Sequence, residues 1–265
     1  MKNIPKTYEI AIQASIEAGI AIMEVFHSND LGVIIKADNS PVTKADIIST
    51  DIISSYLKET HIPIIGEEDE PEKYEIREKW SKVWIVDPLD GTKEFVKKTK
   101  EFTVNIGLVE SGLPIFGVIY VPSTQELFFG GEETGSYKFI HKVKKELGSQ
   151  INNAIHLPTE ETPHDTIVVT GGRNTQLSFF NESPRIQKLN YSEFTFIQLS
   201  SSLKFCRIAE GKMDIYPRDY PCMEWDTAAG HAIVNGVGKD LFDINTNKKL
   251  TYNKDDLYNP FFLLI

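Results

Sequence analysis

The chain has 265 residues, which is enough to bury a large core as one big domain or as two closely packed lobes. Its net charge of -10 argues against polymeric nucleic acid or an anionic membrane as a partner, because both would be repelled unless a basic face compensated. The two cysteines, Cys206 and Cys222, indicate a reducing compartment, and polar residues interrupt the first apolar stretch before it could span a bilayer. We therefore expect a cytoplasmic protein without a transmembrane segment, whose oligomeric state the sequence leaves open.

Two amphipathic helices are predicted in the first sixty residues. Residues 5–27 place apolar side chains at intervals of three and four, which is the period of one helix face. A strand is expected over 31–36, and a turn at 40–43 leads into the second helix. The core-facing side of that helix is expected to carry Ile48, Ile52, Tyr56 and Leu57. Asp46 lies in its first turn, where a carboxylate either stabilises the helix dipole or serves a function.

Acidic residues follow two short strands that read as buried. The first strand, over 62–65, stops at a glycine and is followed by the four consecutive acids 67–70. The second is the apolar run 83–86, which Pro88 ends directly after Asp87. Four acids in a row often form only a solvated surface. Carboxylates just beyond the carboxyl ends of buried strands, however, lie where open α/β sheets bind ligands.

The turn after the second strand predicts a cation site beside an anion site. Two residues of turn bring Asp90 alongside Asp87. Gly91 lets a ligand approach the backbone closely, and Thr92 can cap a helix that continues through Phe95. Carboxylates suit hard cations such as Mg2+, while the N–H groups of a helix N-terminus attract phosphate. The pattern therefore predicts metal-assisted hydrolysis of a phosphate ester.

Three other interpretations of this turn are open. It could be a solvated loop without a ligand. A calcium-binding EF-hand fits poorly, because that loop places its acids two residues apart rather than three and has no proline behind the first. Haloacid dehalogenases also have an aspartate-rich strand end, but one residue separates their two acids, whereas Pro88 and Leu89 separate these.

The remaining chain predicts an antiparallel meander followed by alternating strands and helices. The meander consists of a strand over 102–110, a second that runs to residue 121, and a third over 126–129. Weak periodicity over 141–165 indicates a boundary between an N-terminal lobe, 1–150, and a C-terminal lobe, 151–265. In the second lobe, strands are expected over 166–170, 185–189 and 213–216, and helices over 174–180, 200–210 and 226–235. Asp226 is a candidate N-cap of the last helix.

Three segments together carry a pattern that none of them carries alone. They are G-E-E at 66–68, W-I-V-D-P-L-D-G-T at 84–92 and W-D-T-A-A-G at 225–230. In this order they resemble the signatures of the inositol monophosphatase superfamily of Mg2+-dependent, Li+-sensitive phosphatases. Two more segments, S-S-S-L-K at 200–204 and Y-P-R at 216–218, look like the CysQ-type 3'(2'),5'-bisphosphate nucleotidases of that superfamily. The resemblance implies a mixed α+β and α/β fold, the five-layered αβαβα sandwich also found in fructose 1,6-bisphosphatases.

The resemblance also implies a site with two or three Mg2+ ions. One ion would be bound by Glu67, Asp87 and the carbonyl group of Leu89. A second would be bound by Asp87, Asp90 and Asp226, and a third, weaker ion would lie near Glu67 and Asp46. The expected catalytic residues are Asp46, Glu67 and Thr92, with the threonine positioning the attacking water. Such ions lower the pKa of water and stabilise the leaving oxygen in an in-line displacement.

Substrate recognition is implied at Asp90, Gly91, Thr92, Ser201, Lys204, Arg218 and Asp226. Backbone N–H groups of Gly91 and Thr92 would hold the scissile phosphate. Lys204 and Arg218 would hold a second phosphate, although both could be ordinary surface cations on local sequence alone. The segment T-G-G-R at 170–173 departs from the Ser-Arg-Ser-His-like segment that many bisphosphate nucleotidases have at the nucleoside pocket.

The implied reaction is hydrolysis of the 3'-phosphate of adenosine 3',5'-bisphosphate to AMP and phosphate, a step in sulfur assimilation. An inositol monophosphatase or related sugar phosphatase on the same scaffold is the nearest alternative. A non-catalytic protein that binds divalent cations through the same acids is an alternative of another class. The sequence leaves open the preference among adenosine 3',5'-bisphosphate, its phosphosulfate and inositol phosphates.

Overall fold

The structure is a computed structural model that describes residues 4–36, 41–160, 166–177, 183–189 and 193–265. Two helices form its first layer. The first, α1 (Lys6–His27), confirms the prediction for 5–27, and it packs against α2 (Lys44–Leu57). Between the two helices lie two antiparallel strands of two residues each, β1 (Ile34–Ile35) and β2 (Pro41–Val42). A single six-residue strand over 31–36 was predicted here. The first residue of the predicted turn lies outside the described residues.

The prediction for the buried face of α2 is confirmed for Leu57 and wrong for the other three residues, because the buried face is rotated by about a third of a turn. Ile48 is 40% exposed, and Ile52 and Tyr56 are only half-buried. The buried side chains are Ala45, Asp46, Ser49, Ile53 and Leu57. Polar groups set this orientation, because the hydroxyl of Ser49 donates a hydrogen bond to the carbonyl oxygen of Pro88, 2.8 Å away. An apolar periodicity cannot identify a face that is buried partly through polar contacts.

A seven-stranded sheet forms the second layer and confirms the predicted meander. Its strand order is β3-β4-β5-β6-β7-β8-β9, and every neighbouring pair is antiparallel except β3 and β4. The strands are β3 (Ile64–Gly66), β4 (Lys82–Asp90), β5 (Thr103–Glu110), β6 (Leu113–Val121), β7 (Glu126–Gly131), β8 (Gly135–Ile140) and β9 (Ile155–His156). The last two were not predicted. Because β3 and β4 run parallel, their carboxyl ends, with the acids that follow, lie at the same side of the sheet.

Short helices connect these strands. They are α3 (Tyr74–Arg77), α4 (Thr92–Val96) and α5 (Leu147–Asn152). Within the described part of the chain, α1 alone has the length and mean hydropathy that could cross a membrane, 22 residues at 1.3. Half of that apolar stretch is buried inside the protein, where it packs against α2, β5 and β6.

Two helices of the second half cover the opposite face of the sheet. These are α6 (Leu203–Ala209) and α7 (Ala228–Asn235), and α7 lies across β5, β6 and β7. Small residues permit this close approach. A Cβ atom built on Gly117 of β6 would lie 2.1 Å from the carbonyl oxygen of Ala229, so a side chain there would push the helix off the sheet.

The strands of the second half form a further layer beyond these helices. Parallel strands β10 (Thr166–Gly171) and β11 (Glu193–Gln198) form one small sheet, and β12 (Tyr216–Arg218), β16 (Phe262–Leu264) and β14 (Leu241–Asp243) form another. A third pairs β13 (Cys222–Met223) with β15 (Tyr258–Asn259). Side chains alternate across β16: Phe262 and Leu264 pack toward α6 and α7, whereas Leu263 packs with Ile186 on the far side.

Several predictions for the second half need correction. Residues 185–189 contain a single 3-10 turn, Ile186–Lys188, and pair with no strand among the described residues. Strand β11 was missed. The strand predicted over 213–216 begins only at Tyr216 and continues to Arg218. Residues 174–177 of the predicted helix 174–180 are not helical, and its remainder lies outside the described residues. The boundary between lobes 1–150 and 151–265 stays a prediction.

Candidate active site

The site lies at the carboxyl ends of β3 and β4. Strand β4 does not stop at Asp87, as predicted, but resumes pairing at Asp90, which lies opposite Thr103. The two residues between, Pro88 and Leu89, form an irregularity in the ladder, since proline has no N–H group to donate. The N–H group of Leu89 instead donates to Oδ1 of Asp87 over 3.0 Å. This irregularity turns both aspartates toward the same side of the strand end.

Three aspartates meet there. One carboxylate oxygen from each of Asp87, Asp90 and Asp226 lies within 4.8 Å of the others. The cluster forms a group of hard oxygen donors that could hold a metal ion, and the predicted ligand Glu67 lies against Asp87. The structure brings these four predicted ligands together across 159 positions of sequence, counted from Glu67 to Asp226.

The charge balance at this cluster calls for a cation. Burial, followed by the charge of Asp226, raises the pKa of Glu67 to about 8. Burial and the neighbouring carboxylates, first Glu67 and then Asp90, also raise the pKa of Asp87 well above its usual range. Lys36 approaches from outside, but its Nζ lies 2.7 Å from Glu68 and 3.8 Å from Glu67. Carboxylates crowded in this way are compatible with their ionised forms when a divalent cation lies among them, so the residues fit a metal.

A chain of hydrogen bonds, which the sequence did not predict, fixes the carboxylate of Asp90. The hydroxyl of Ser202 donates to Oδ2 of Asp90 over 2.9 Å, and Nδ2 of Asn105 donates to that hydroxyl oxygen over 2.9 Å. Thr103 in turn donates to Oδ1 of Asn105 over 3.0 Å. The one available signal was Asn105 itself, a polar residue in the middle of an otherwise apolar strand.

Asp226 does not cap α7, contrary to the prediction. A single 3-10 turn, Glu224–Asp226, precedes that helix, and Thr227 occupies the N-cap position. Oδ2 of Asp226 accepts a hydrogen bond from the N–H group of Met223 over 2.8 Å. The carboxylate thus stabilises its own turn, while burial and the charge of Asp90 raise its pKa to about 6. Its other oxygen remains available to a ligand.

Asp46 and Thr92 contact each other beside the cluster. Oδ2 of Asp46 accepts hydrogen bonds from the N–H group and the hydroxyl of Thr43, which form a capping box at the start of α2. Its Oδ1 lies 3.1 Å from the hydroxyl of Thr92, which is equally far from the carbonyl oxygen of Leu89. Asp46 therefore both caps a helix and reaches a predicted catalytic residue.

Thr92 is not the N-cap of α4. The N-cap is Gly91, whose φ of 93° suits glycine, and Thr92 is the first residue inside the helix. A Cβ atom on Gly91 would also lie 2.8 Å from the carbonyl oxygen of Glu101. Because Thr92 is not used for capping, its hydroxyl is free to turn between Asp46 and Leu89.

A cavity of about 370 Å3 adjoins the acidic cluster through Asp90 and Asp226, and Lys204 and Arg218 both line it. The alternative that these cations are ordinary surface residues is wrong for Lys204, whereas Arg218 is half-buried in the cavity wall. Lys204 is 4% exposed, and burial lowers its pKa to about 8. The guanidinium group of Arg218 stacks on the ring of Tyr220, with 3.7 Å between its central carbon and the ring centroid.

Most donors of these two cations are already used within the protein. Nζ of Lys204 donates to the carbonyl oxygens of Ser201 and Leu199. Arg218 makes four hydrogen bonds, to the hydroxyls of Tyr216 and Tyr220 and to the carbonyl oxygens of Tyr220 and Pro221. Each cation therefore retains one N–H group for a ligand. The hydroxyl oxygen of Ser201, also in the cavity wall, is buried and has no partner among the described residues.

Gly172 and Arg173, from the segment T-G-G-R at 170–173, form another part of the cavity wall. Gly172 lies so close to Tyr220 that a Cβ atom there would be 2.3 Å from its hydroxyl oxygen. Arg173 forms an ion pair with Glu94 of α4, with 3.2 Å between Nη2 and Oε1. The departure from the nucleotidase pattern at this segment thus places backbone, rather than a larger side chain, against the tyrosine.

Comparison with known proteins agrees with this geometry. The chain matches the inositol monophosphatase family over residues 4–260. It is 38% identical over 254 residues to the 3'(2'),5'-bisphosphate nucleotidase CysQ of Escherichia coli, covering 94% of this chain and 96% of that one. The crystal structure of CysQ from Bacteroides thetaiotaomicron superposes with a TM-score of 0.86 at 38% identity, covering 99% of this chain and 97% of that one.

A more distant structure shows the same fold. The inositol monophosphatase from Anabaena superposes with a TM-score of 0.65 at 22% identity, covering 97% of this chain and 88% of that one. These likenesses confirm the predicted mixed fold, the αβαβα sandwich. The family match over almost the whole chain and the identity to CysQ together show that the chain belongs to the inositol monophosphatase family.

Proposed function

We propose that the chain is a Mg2+-dependent 3'(2'),5'-bisphosphate nucleotidase that hydrolyses the 3'-phosphate of adenosine 3',5'-bisphosphate to AMP and phosphate. The observation that supports this substrate most strongly is the cavity itself. Its wall includes the carboxylates of Asp90 and Asp226, and also two cations, the buried Lys204 and the half-buried Arg218. A ligand with two separated phosphate groups matches this distribution of charge. The relatives named as bisphosphate nucleotidases support the same substrate.

Glu67, Asp87 and the carbonyl group of Leu89 would hold one ion, and Asp87, Asp90 and Asp226 would hold a second. A third would lie near Glu67 and Asp46. When bound, Mg2+ supplies positive charge that lowers the pKa of water and stabilises the leaving oxygen. The protein itself holds the metal-binding carboxylates in position. Ser202, supported by Asn105, donates a hydrogen bond to Asp90, and the N–H group of Met223 donates one to Asp226.

Thr92 is the residue best placed to orient the attacking water. When its hydroxyl donates to Oδ1 of Asp46, 3.1 Å away, the oxygen lone pairs are left to accept a hydrogen bond from water. Burial raises the pKa of Asp46, so this carboxylate can take up the proton that Thr92 passes on. The contacts of Thr43 with the other oxygen of Asp46 keep the carboxylate facing Thr92.

The phosphate that is not cleaved would bind at Ser201, Lys204 and Arg218. Each of these residues offers one hydrogen-bond donor that has no partner among the described residues, which makes three donors for one phosphate. Gly91 and Thr92 would hold the scissile phosphate with their backbone N–H groups. Two phosphates bound at two places would give the enzyme its preference over substrates with one.

We also propose that the activity is cytoplasmic and belongs to sulfur assimilation. The free, buried Cys206 and Cys222 are in keeping with a reducing compartment. The two lobes 1–150 and 151–265 would then divide the work. The first would carry most of the metal ligands, and the second would carry Asp226 and the residues that bind the uncleaved phosphate.

The deciding experiment compares phosphate release from adenosine 3',5'-bisphosphate, inositol 1-phosphate and fructose 1,6-bisphosphate in the presence of Mg2+. We expect the nucleotide to have the highest kcat/KM, and excess chelator to abolish turnover. A higher kcat/KM on inositol 1-phosphate would replace the proposal with an inositol monophosphatase. No phosphate release from any of the three would favour a cation-binding protein without catalysis.

A further inference from the structure

Two lysines at α4, Lys93 inside the helix and Lys97 at its C-cap, line the same cavity. Lys93 and Lys97 are four residues apart, so they lie on one face of the helix, and both side chains are exposed. In the part of the chain that the structure describes, neither ammonium group forms an ion pair. The carboxylate nearest in sequence, Glu94, is instead occupied by Arg173 at 3.2 Å.

The remaining cations of the cavity differ from this pair. Arg173 is neutralised by Glu94. Lys204 is buried and Arg218 is half-buried, and both donate most of their hydrogens to protein oxygens. Among the described residues that line the cavity, Lys93 and Lys97 thus carry the only positive charges that are both exposed and unpaired. Both residues are exposed to solvent as well as lining the cavity, so their charges act on a ligand before it is bound.

An incoming nucleotide with two phosphates needs such charges. The protein has a net charge of -10, so it repels an anionic nucleotide at a distance. The carboxylates of the acidic cluster add to this repulsion where bound cations do not fully neutralise them. Exposed ion pairs contribute little to binding once the ligand is in place, because water and salt screen them. Exposed charges beside a binding cavity instead raise the association rate of an oppositely charged ligand, and they make that rate depend on the salt concentration. The position of the two lysines therefore suits attraction of the ligand rather than its final grip.

We propose that Lys93 and Lys97 form a capture site that draws polyanionic nucleotides into the cavity and favours them over substrates with a single phosphate. This inference rests on the proposed function, since it concerns the same substrate. It adds a second cationic group, on the N-terminal half of the chain, to the group formed by Lys204 and Arg218. The attraction grows with the charge of the ligand, so a bisphosphate gains more than a monophosphate.

The test compares the double variant Lys93→Gln, Lys97→Gln with the double variant Lys73→Gln, Lys79→Gln. Both remove two exposed lysines and change the net charge equally, but Lys73 and Lys79 lie outside the cavity wall. Phosphate release from adenosine 3',5'-bisphosphate is measured between low salt and about 1 M KCl, where the Debye length is about 3 Å. Adenosine 3'-phosphate serves as the substrate with one phosphate.

We expect the cavity variant to lose about tenfold in kcat/KM for the bisphosphate at low salt, mostly through KM, and to approach the wild type at high salt. The loss on adenosine 3'-phosphate should be several times smaller, and the control variant should match the wild type. Equal losses in both double variants, a loss that persists at high salt, or no loss would overturn the capture site alone. A wild-type protein that releases no phosphate from the bisphosphate would instead overturn the proposed function and this inference with it.

Discussion

Replacing Lys204 by methionine would remove one ammonium group from the cavity while keeping most of the side-chain volume. Nζ of Lys204 donates to the carbonyl oxygens of Ser201, at 2.6 Å, and Leu199, at 3.4 Å, which leaves one proton for a ligand. A hydrogen bond to a charged group contributes about 1.5–3 kcal/mol. Since about 1.4 kcal/mol corresponds to a factor of ten, the variant should lose roughly 10- to 150-fold in kcat/KM for adenosine 3',5'-bisphosphate.

The assay is phosphate release from adenosine 3',5'-bisphosphate and from adenosine 3'-phosphate, which has the same leaving group but lacks the second phosphate. Activity on adenosine 3'-phosphate should fall less than about threefold, because this substrate has no second phosphate to accept a hydrogen bond from Lys204. Lys239→Met is the matched control: that lysine is half-buried and also donates to a carbonyl oxygen, of Asp214, but lies outside the cavity wall. It should leave both activities unchanged.

The pH profile adds a second readout for Lys204. Because burial lowers its pKa to about 8, the ammonium group loses its proton as the pH rises through that value in the free enzyme. The advantage of the wild type over Lys204→Met on the bisphosphate should therefore shrink above pH 8. Equal losses on both substrates, or an advantage that is independent of pH, would show that Lys204 supports the fold of the cavity rather than the second phosphate.

Three further predictions concern the acidic cluster and the core behind it. Asp90→Asn should lower kcat more than about a hundredfold with unchanged circular dichroism, and a variant that keeps most of its kcat would remove Asp90 from the ligand set. Ser202→Ala should raise the Mg2+ concentration for half-maximal activity about tenfold or more, since Asp90 loses a donor; an unchanged Mg2+ titration would contradict this role. Asp240→Asn should lower the denaturation midpoint at pH 6 but not near pH 2. Burial opposes ionisation of Asp240, yet its contacts with His231 and Lys249 lower its pKa to about 2. The stabilisation from the ionised carboxylate is therefore present above pH 4 and lost as the pH falls toward 2.

The strand ends and their acids could be predicted because the information is local. A continuous apolar run such as 83–86 and a proline directly after Asp87 describe a strand and its interruption within a few residues. The first helix and the meander could be predicted for the same reason, since each has a clear period of its own. The resemblance to a known family then related segments that lie far apart in the sequence, which periodicity could not do.

The contacts that set the geometry of the site could not be predicted in this way. Ser202, Asn105 and Asp90 come from three distant segments, and only the packing of α6 against the sheet brings them into one hydrogen-bonded chain. The orientation of α2 depends on polar contacts of Asp46 and Ser49 that hydropathy does not record. Capping rules likewise misplaced Thr92 and Asp226, because a glycine at positive φ and a short 3-10 turn took over those positions.

The central claim is that one phosphate lies at the acidic cluster while Ser201, Lys204 and Arg218 hold the other. The most direct measurement is 31P NMR of the products that form from adenosine 3',5'-bisphosphate with the wild-type protein and Mg2+. We predict inorganic phosphate and AMP with its 5'-phosphate intact, and no adenosine 3'-phosphate at any time in the reaction. Accumulation of adenosine 3'-phosphate, or a mixture of both monophosphates, would contradict the assignment of the two phosphate positions.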